Sequence, residues 1–424
     1  MAPWRKTYYA VLIAETLSVT GFFFAIPLLP LYISELHPEM SQAQQSVWSG
    51  WMIAAAGLTM AISAPIWGFV ADRYGRKPML LRAMWGGVLV LILMGLARNV
   101  TQLIILRVLQ GCLTGTVTAS VALVASVTPR NRSGRTLGMM QGAVFFGACI
   151  GPFLGGEIAE HLGFTPAFFV AAGLLFTSGL LVFLFADEQF EQPAPSNQTH
   201  FGTLGTILGT TGFMAAMAAL FFIRFANSSF QPVFPYILRD ILGTDEGVRA
   251  LTGRIIGVAG IASAVSAGLL GWFSDHWGHK RLLIGSVVFA AFTTLALGLA
   301  RTIPQFYVLR ALYGFAAAGI MPSANAIIRH IIHDRHLGKA YGLVASLKGL
   351  GWGTGAFTGG YIAAGIGLRA PFILTTLVLF LSAGLVIWRV QDGGEPAEED
   401  EPAPAKPEME PAEVYRPARQ PASD

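Results

Sequence analysis

Residues 68–80 read GFVADRYGRKPML, and 203 positions later residues 271–283 read GWFSDHWGHKRLL. Each stretch sets a knot of charge between two long apolar runs, in a chain that is only 12% charged. The flanking runs reach the roughly 20 residues that an α-helix needs to cross the hydrocarbon core of a bilayer. Applied along the chain, that criterion predicts twelve spans: 9–33, 47–68, 79–97, 101–127, 136–160, 166–186, 208–238, 251–273, 282–300, 304–330, 339–364 and 370–390. The fold class expected is all-α, a polytopic membrane protein. Composition agrees: the 424 residues are 54% hydrophobic and include 49 glycines, with about half the charge a soluble domain carries.

The formal net charge of +4 is small and its basic residues lie in short loops, so no nucleic-acid partner is expected. Cys112 and Cys149 both sit inside apolar runs and make neither a disulfide framework nor a zinc spacing. No HExxH, GxSxG, P-loop or CxxC pattern occurs, which argues against an enzyme or an ATP-driven pump and leaves no metal or cofactor to expect. The basic start MAPWRK leads into an apolar run too long for a signal-peptide core, so it reads as an uncleaved first span. With the N-terminus inside, fourteen Lys and Arg residues fall in inner segments, among them Arg5, Arg73, Arg76, Lys77, Arg130, Lys280 and Arg335. Six fall outside: Arg98, Arg239, Arg249, Arg254, Arg301 and Arg369. The positive-inside rule then puts both termini in the cytoplasm.

The two halves repeat each other. IPLLPLY (26–32) matches QPVFPYI (231–237), ILRVLQG (105–111) matches VLRALYG (308–314), and 134–156 matches 338–360. With the charged knots, these blocks in one order imply an internal duplication, and duplicated membrane halves place a substrate site between them near the midplane. The expected organisation is two pseudo-symmetric six-helix halves, 1–186 and 208–390. A cytoplasmic linker at 187–207 and a Pro/Glu-rich disordered tail at 391–424 complete it.

GFVADRYGRKPML resembles the signature between spans two and three of the major facilitator superfamily. GACIGPFLGG (147–156) resembles the fifth-span motif of that superfamily's twelve-span drug:proton antiporters, and the run from Gly75 to Gly111 looks most like bacterial multidrug exporters of the MdtG type. The resemblance covers about residues 5–390. It implies alternating access in a bacterial inner membrane, with a small-molecule substrate, protons and membrane lipid as partners, in a protein that works as a monomer.

Within that frame Gly68, Asp72, Arg73, Gly75, Arg76 and Lys77, with Asp275, Gly278 and Lys280 in the second copy, are the candidate gating residues. Asp72 can accept from helix N-terminal amides, and the glycines permit a tight turn. The competing reading is a basic loop that only sets topology. The second copy has His276 and His279 where the first has Arg73 and Arg76. Gly147, Gly151, Pro152, Gly155 and Gly156 either seal the two halves, as the resemblance implies, or serve close helix packing in general.

An ionisable residue inside a span is costly and tends to face a cavity or a partner. Glu15 is the one carboxylate well inside a first-half span. Low dielectric disfavours an ionised carboxylate, which suits a proton carrier; a shallow Glu15 would instead be solvated beside Arg5 or Lys6. Glu157 is the second choice. Arg107 opens RVLQGCLTG, with Gln110, Thr114 and Thr118 near its face, and the resemblance links that motif to proton coupling; otherwise it snorkels to the outer surface. Arg310 is its counterpart. Arg224, Asn227 and Gln231 form a polar stripe, and with Phe22, Phe222, Tyr313, Asn325 and Lys348 they are the candidate cavity residues, against a structural role for Arg224 and a lipid-facing one for the phenylalanines. HIIHDRH (330–336) spreads its histidines too widely for a metal site.

The function expected is secondary transport, with proton-coupled efflux of small amphiphilic compounds leading. An uptake symporter for a metabolite or organic anion is the alternative within transport. A non-transporting sensor on the same fold is the alternative of another class.

Overall fold

The computed structural model describes residues 3–113, 115–129, 132–188, 211–331 and 337–389. Most of the central linker, the acidic tail, Thr114, Arg130, His333 and His336 lie outside that set, as do the side chains of Asp275 and Asn325. The described residues form twelve helical spans and no strand. In the first half, α1 runs over 3–36, α2 Gln42–Tyr74, α3 Arg76–Gly95, α4 over 100–127, α5 Ser133–Leu162 and α6 Phe164–Phe185. The second half has α7 over 211–242, α8 Val248–Trp277, α9 His279–Leu299, α10 Ile303–Ile331, α11 Leu337–Ile366 and α12 Ala370–Arg389. Ten are long and apolar enough over their described residues to cross a membrane; α10 and α11, of 29 and 30 residues, flank 332–336.

Local sequence explains the interruptions. α1 breaks into a 3-10 turn at Ile26–Leu28 beside Pro27 and Pro30, and α7 breaks at 230–233 beside Pro232 and Pro235. Proline gives no N–H to the helix ladder and crowds the preceding turn. α4 breaks between Leu113 and Thr116, where Gly115 takes φ +134°, a left-handed conformation open to a residue without Cβ. α5 runs through Pro152 unbroken.

The halves meet along two seams, α2 with α11 and α5 with α8. A Cβ on Gly50 would fall 2.8 Å from the Ala356 carbonyl and 3.2 Å from Gly360 Cα, and one on Gly57 2.8 Å from Gly353 N. On the other seam Gly253 lies against Gly156 and the Pro152 carbonyl, and Gly260 against Cys149. In repeat register Gly253 and Gly260 are the mates of Gly50 and Gly57, and Gly156 and Cys149 the mates of Gly360 and Gly353. The duplication therefore reappears as one contact made twice.

Both seams close only at one end. Towards the end that carries the chain's first described residues and Arg389, here the termini face, a Cβ on Gly68, Gly138, Gly142, Gly268 or Gly271 would meet nothing within 4 Å. Ile62, Ile66, Phe69, Ile261, Val265 and Leu269 are exposed along the same stretches. The halves are joined at the far face and parted at the termini face.

Candidate substrate site and gates

The polar residues of the middle third gather where the seams part. Arg107 on α4 is 1% exposed, so the snorkelling alternative fails. Its Nε donates to the Met52 carbonyl at 3.0 Å and its Nη1 to Gln110 Oε1 at 2.5 Å, while Nη2 is buried without a hydrogen-bond partner among the described residues. The guanidinium lies 5.9 Å from the ring of Trp352, across the junction on α11. Trp352 Nε1 donates to Gln231 Oε1 at 3.2 Å, so the last member of the α7 stripe sits in the helix break and is held from α11. One residue before Trp352, Gly351 is packed on Arg224, whose Nε is buried and unpartnered among the described residues. Lys348 lies a turn away, near enough to Arg224 for the like charges to be felt. Asn227 donates back to the Ile223 carbonyl at 3.0 Å. Arg107 stands by the Trp352 indole, Arg224 and Lys348 lie near each other at α11, and no carboxylate of the described residues is ion-paired with any of the three.

Arg310, the mate of Arg107, is solved differently. Its guanidinium stands 4.9 Å from the ring of Phe234 and 5.5 Å from those of Phe230 and Tyr313, a cation–π cage in place of carbonyl acceptors. Tyr313 lies within electrostatic reach of both Arg310 and Arg224. Phe222 is half-buried beside Phe221. Phe22 is placed away from the junction: it fills the space above Gly87 inside the first half, where a missing side chain on α3 leaves room for a ring.

Glu15 is 0% exposed, which removes the solvated alternative. Both carboxyl oxygens are buried with no hydrogen-bond partner among the described residues. Ser120 on α4 is the polar neighbour, but its hydroxyl donates to the Val117 carbonyl at 3.0 Å. The opposite face of α1 carries the exposed Tyr9 and Ile13. Glu15 therefore points into the first half, towards Ser120 on α4.

At the termini face the first charged knot is anchored within its own half. Gly75 takes φ +94° and separates α2 from α3. Glu188 caps α3, accepting from Arg76 N at 2.8 Å and Lys77 N at 2.7 Å, and Lys77 Nζ donates to the Ala186 carbonyl at the end of α6 at 2.5 Å. Asp72 is exposed on the parted side. Gly278, mate of Gly75, takes φ +88°, and Lys280 follows it at the start of α9.

The far face is closed by polar contacts between the halves. Tyr236 donates to the Pro30 carbonyl at 2.7 Å and so accepts from Ser49 at 2.9 Å. Arg249 meets Glu35 at 2.5 Å, Arg254 meets Glu157 at 2.5 Å, and Gln42 donates to Asp240 at 3.0 Å. Glu157, second choice as a proton carrier, is thus spent on a cross-half ion pair.

The family model described as Major Facilitator Superfamily matches residues 11–222 and again 216–422. The chain belongs to the Major Facilitator Superfamily. It is a multi-pass membrane transporter and not an enzyme. It is 32% identical over 402 residues to a multidrug resistance protein MdtG of Enterobacter lignolyticus, covering 94% of this chain and 96% of the relative. The MdtG of Serratia proteamaculans is 31% identical, with 92% and 94% covered. Among solved structures, a bacterial homologue of the human lysosomal transporter Spinster, inward-facing and occupied, superposes with a TM-score of 0.72 at 15% identity, covering 91% of this chain and 97% of that one. The human organic anion transporter MFSD10 gives 0.69 at 19% identity, covering 91% and 100%.

For this superfamily member the fifth-span motif has two jobs. Gly147, Gly151 and Gly155 lie on the Thr16, Thr20 and Phe24 carbonyls of α1 in the same half, while Pro152 and Gly156 face Gly253 across the seam. The structure also engages residues that were not among the candidate site residues: Trp352 bridges the junction, Glu188 caps a helix, and Glu35, Glu160, Tyr236 and Arg249 meet at the far face. The signal that could have found Glu160 and Arg249 is mismatch between the repeats, since they stand where the other half has Ala364 and Ser46.

Proposed function

We propose that this transporter is a proton-coupled exporter of small amphiphilic compounds, working as a monomer in a bacterial inner membrane by alternating access. The observation that carries the reading is the pair of seams, closed at the far face and parted at the termini face over a polar junction. With both termini in the cytoplasm, this is an inward-facing state: substrate enters from the cytoplasm, the termini face closes, and the far face opens. The multidrug resistance naming of the relatives supports export of such compounds.

The junction supplies an adaptable apolar wall with fixed charges. Arg107, Arg224 and Lys348, buried or half-buried without a carboxylate partner among the described residues, favour a carboxylate, phosphonate or zwitterionic head with an apolar body, because charge is weakly screened in a low-dielectric cleft. Glu15, buried and unbonded among the described residues, is the carrier of the coupling proton. It acts through α4, which carries Ser120 13 residues on from Arg107, across the break at Gly115. Asp72 and its charged knot hold the termini face shut when the halves rock, and the loop's basic residues meet lipid headgroups.

Counterflow in proteoliposomes under an imposed pH gradient, with cationic, neutral and anionic amphiphiles, tests this. Uphill movement against the proton flow supports antiport. Movement with it favours the second reading, an uptake symporter for an organic anion, which the same three cations suit. Ligand binding with no movement would remove the export reading.

A further inference from the structure

Arg107 and Arg310 are mates in the repeat, and so are the residues three places on, Gln110 and Tyr313. In the first half the pair is donor and acceptor: Gln110 Oε1 accepts from Arg107 Nη1 at 2.5 Å, and the Met52 carbonyl accepts from Nε at 3.0 Å. In the second half the amide acceptor is replaced by a phenol, whose O–H can donate. Arg310 is 9% exposed, and its Nε and Nη1 are buried with no hydrogen-bond partner among the described residues. The rings of Phe230, Phe234 and Tyr313 answer its charge and leave those N–H groups unanswered. Tyr313 is buried and also lies within electrostatic reach of Arg224, and Arg224 within reach of Lys348. The mates of Arg224 and Lys348 are Val19 and Val144, so the first half has no counterpart of this chain of donors. Carboxylates occur in the described helices of the second half only near helix ends, at Asp240 and Asp275.

We propose that the second half holds a small-anion subsite between Arg310 and Arg224 at the Tyr313 hydroxyl, with Lys348 at its edge, which takes chloride in its own right and yields it to the acidic head of a substrate. Buried charge is costly until it is paired and its N–H groups are hydrogen-bonded, and the described residues offer these cations no acid. A halide suits a site made of donors alone, because it accepts from every side and has nothing to donate. The aromatic rings around Arg310 keep the local dielectric low, which strengthens the attraction. A carboxylate or phosphonate head presents the same kind of acceptor, so the inorganic anion and the substrate compete for one place. That competition rests on the substrate junction of the export reading; the chloride site rests on the donors alone. The junction then exchanges one anion for another in place of gaining a charge each time substrate binds.

In the purified full chain in detergent, titrated with sodium chloride against gluconate at constant ionic strength, the chlorine magnetic resonance line should show a saturable broadening. Tyr313→Phe keeps the ring and its packing and removes only the donor, so it should weaken chloride roughly ten- to hundredfold, the range for a hydrogen bond to a charged group. Arg310→Gln should abolish the saturable part. Arg82→Gln, which removes a half-buried cation stacked on Trp67 in the other half, should match the parent. Octanoate should narrow the parent's line by displacing chloride, and octyltrimethylammonium should leave it broad. No saturable broadening in the parent, or parent-like broadening in both Tyr313→Phe and Arg310→Gln, overturns the subsite, as does an equal loss in Arg82→Gln, which would mark a response to net charge alone. A line that octanoate leaves broad overturns the exchange with substrate. Should Arg310→Gln fail to fold, Tyr313→Phe decides by itself. None of these readouts uses transport, so failure of the subsite and failure of export are told apart.

Discussion

Glu15 and Arg224 sit on the matched first helices of the two halves and meet opposite fates. Glu15 points into its own half beside Ser120, and Arg224 lies on Gly351 at the junction. Glu15→Gln should abolish uphill transport driven by a pH gradient and preserve exchange of substrate down its own gradient, because the amide fills the same space without a proton to trade. Uphill transport by the mutant moves the proton elsewhere, with Arg107 and Gln110 next in line. Arg224→Ala should cut transport of anionic and zwitterionic amphiphiles at least about tenfold, the equivalent of 1.4 kcal/mol, and that of lipophilic cations much less. Equal loss of both, with normal insertion, places Arg224 in the coupling machinery; loss of neither takes the substrate site off α7. At this scale the sequence was legible in residue type and silent on direction. A buried acid is conspicuous in an apolar run, but which neighbour it faces depends on helix rotation, as with Phe22, drawn into the hole above Gly87.

Helices of this transporter are positioned by what their glycines lack. Gly353 fits between Leu58 and the Ala54 carbonyl, with no room for a side chain, whereas Gly68 faces open space in the state seen. Overpacking of about 1–3 kcal/mol at the first position should hold the far face apart, and bulk at the second should hold the termini face apart. Gly353→Leu is therefore expected to expose Cys149, which packs on Gly260, to a membrane-impermeant maleimide from the far side, and Gly68→Leu to leave it protected. Equal labelling in the two variants would rule out separate closures. The elements themselves were readable because spans of about 20 apolar residues leave few alternatives to a helix. Their lengths were not: α2 has 33 residues, about 50 Å at 1.5 Å per residue, and its polar first turns, capped by Ser41 and Gln44, read as loop in hydropathy.

The proposed cycle needs a closure at each face, and among the described residues only the far-face one is made here. Asp72 has no cross-half contact in this state among the described residues, so Asp72→Asn should leave insertion and thermal stability near the parent's while transport falls steeply, since the change removes an interaction used only when the termini face shuts. Counterflow rate against melting in detergent separates the two effects; normal transport at normal stability would falsify the gating role. The repeat announced that the halves exist and correspond. It did not show that they had diverged at the far face, because Glu157 opposite Arg254 and Tyr361 opposite Trp51 are neighbours only after folding.

A body joined at one face and parted at the other is a wedge. Its cross-section is larger in the leaflet at the termini face, and on the proposed cycle each turnover would hand that excess area to the opposite leaflet and back. The resting balance between the two orientations is then set partly by the bilayer's own curvature stress, so lipids with small headgroups and lipids with large ones, placed in one leaflet, bias the same protein in opposite senses without touching a single gate residue.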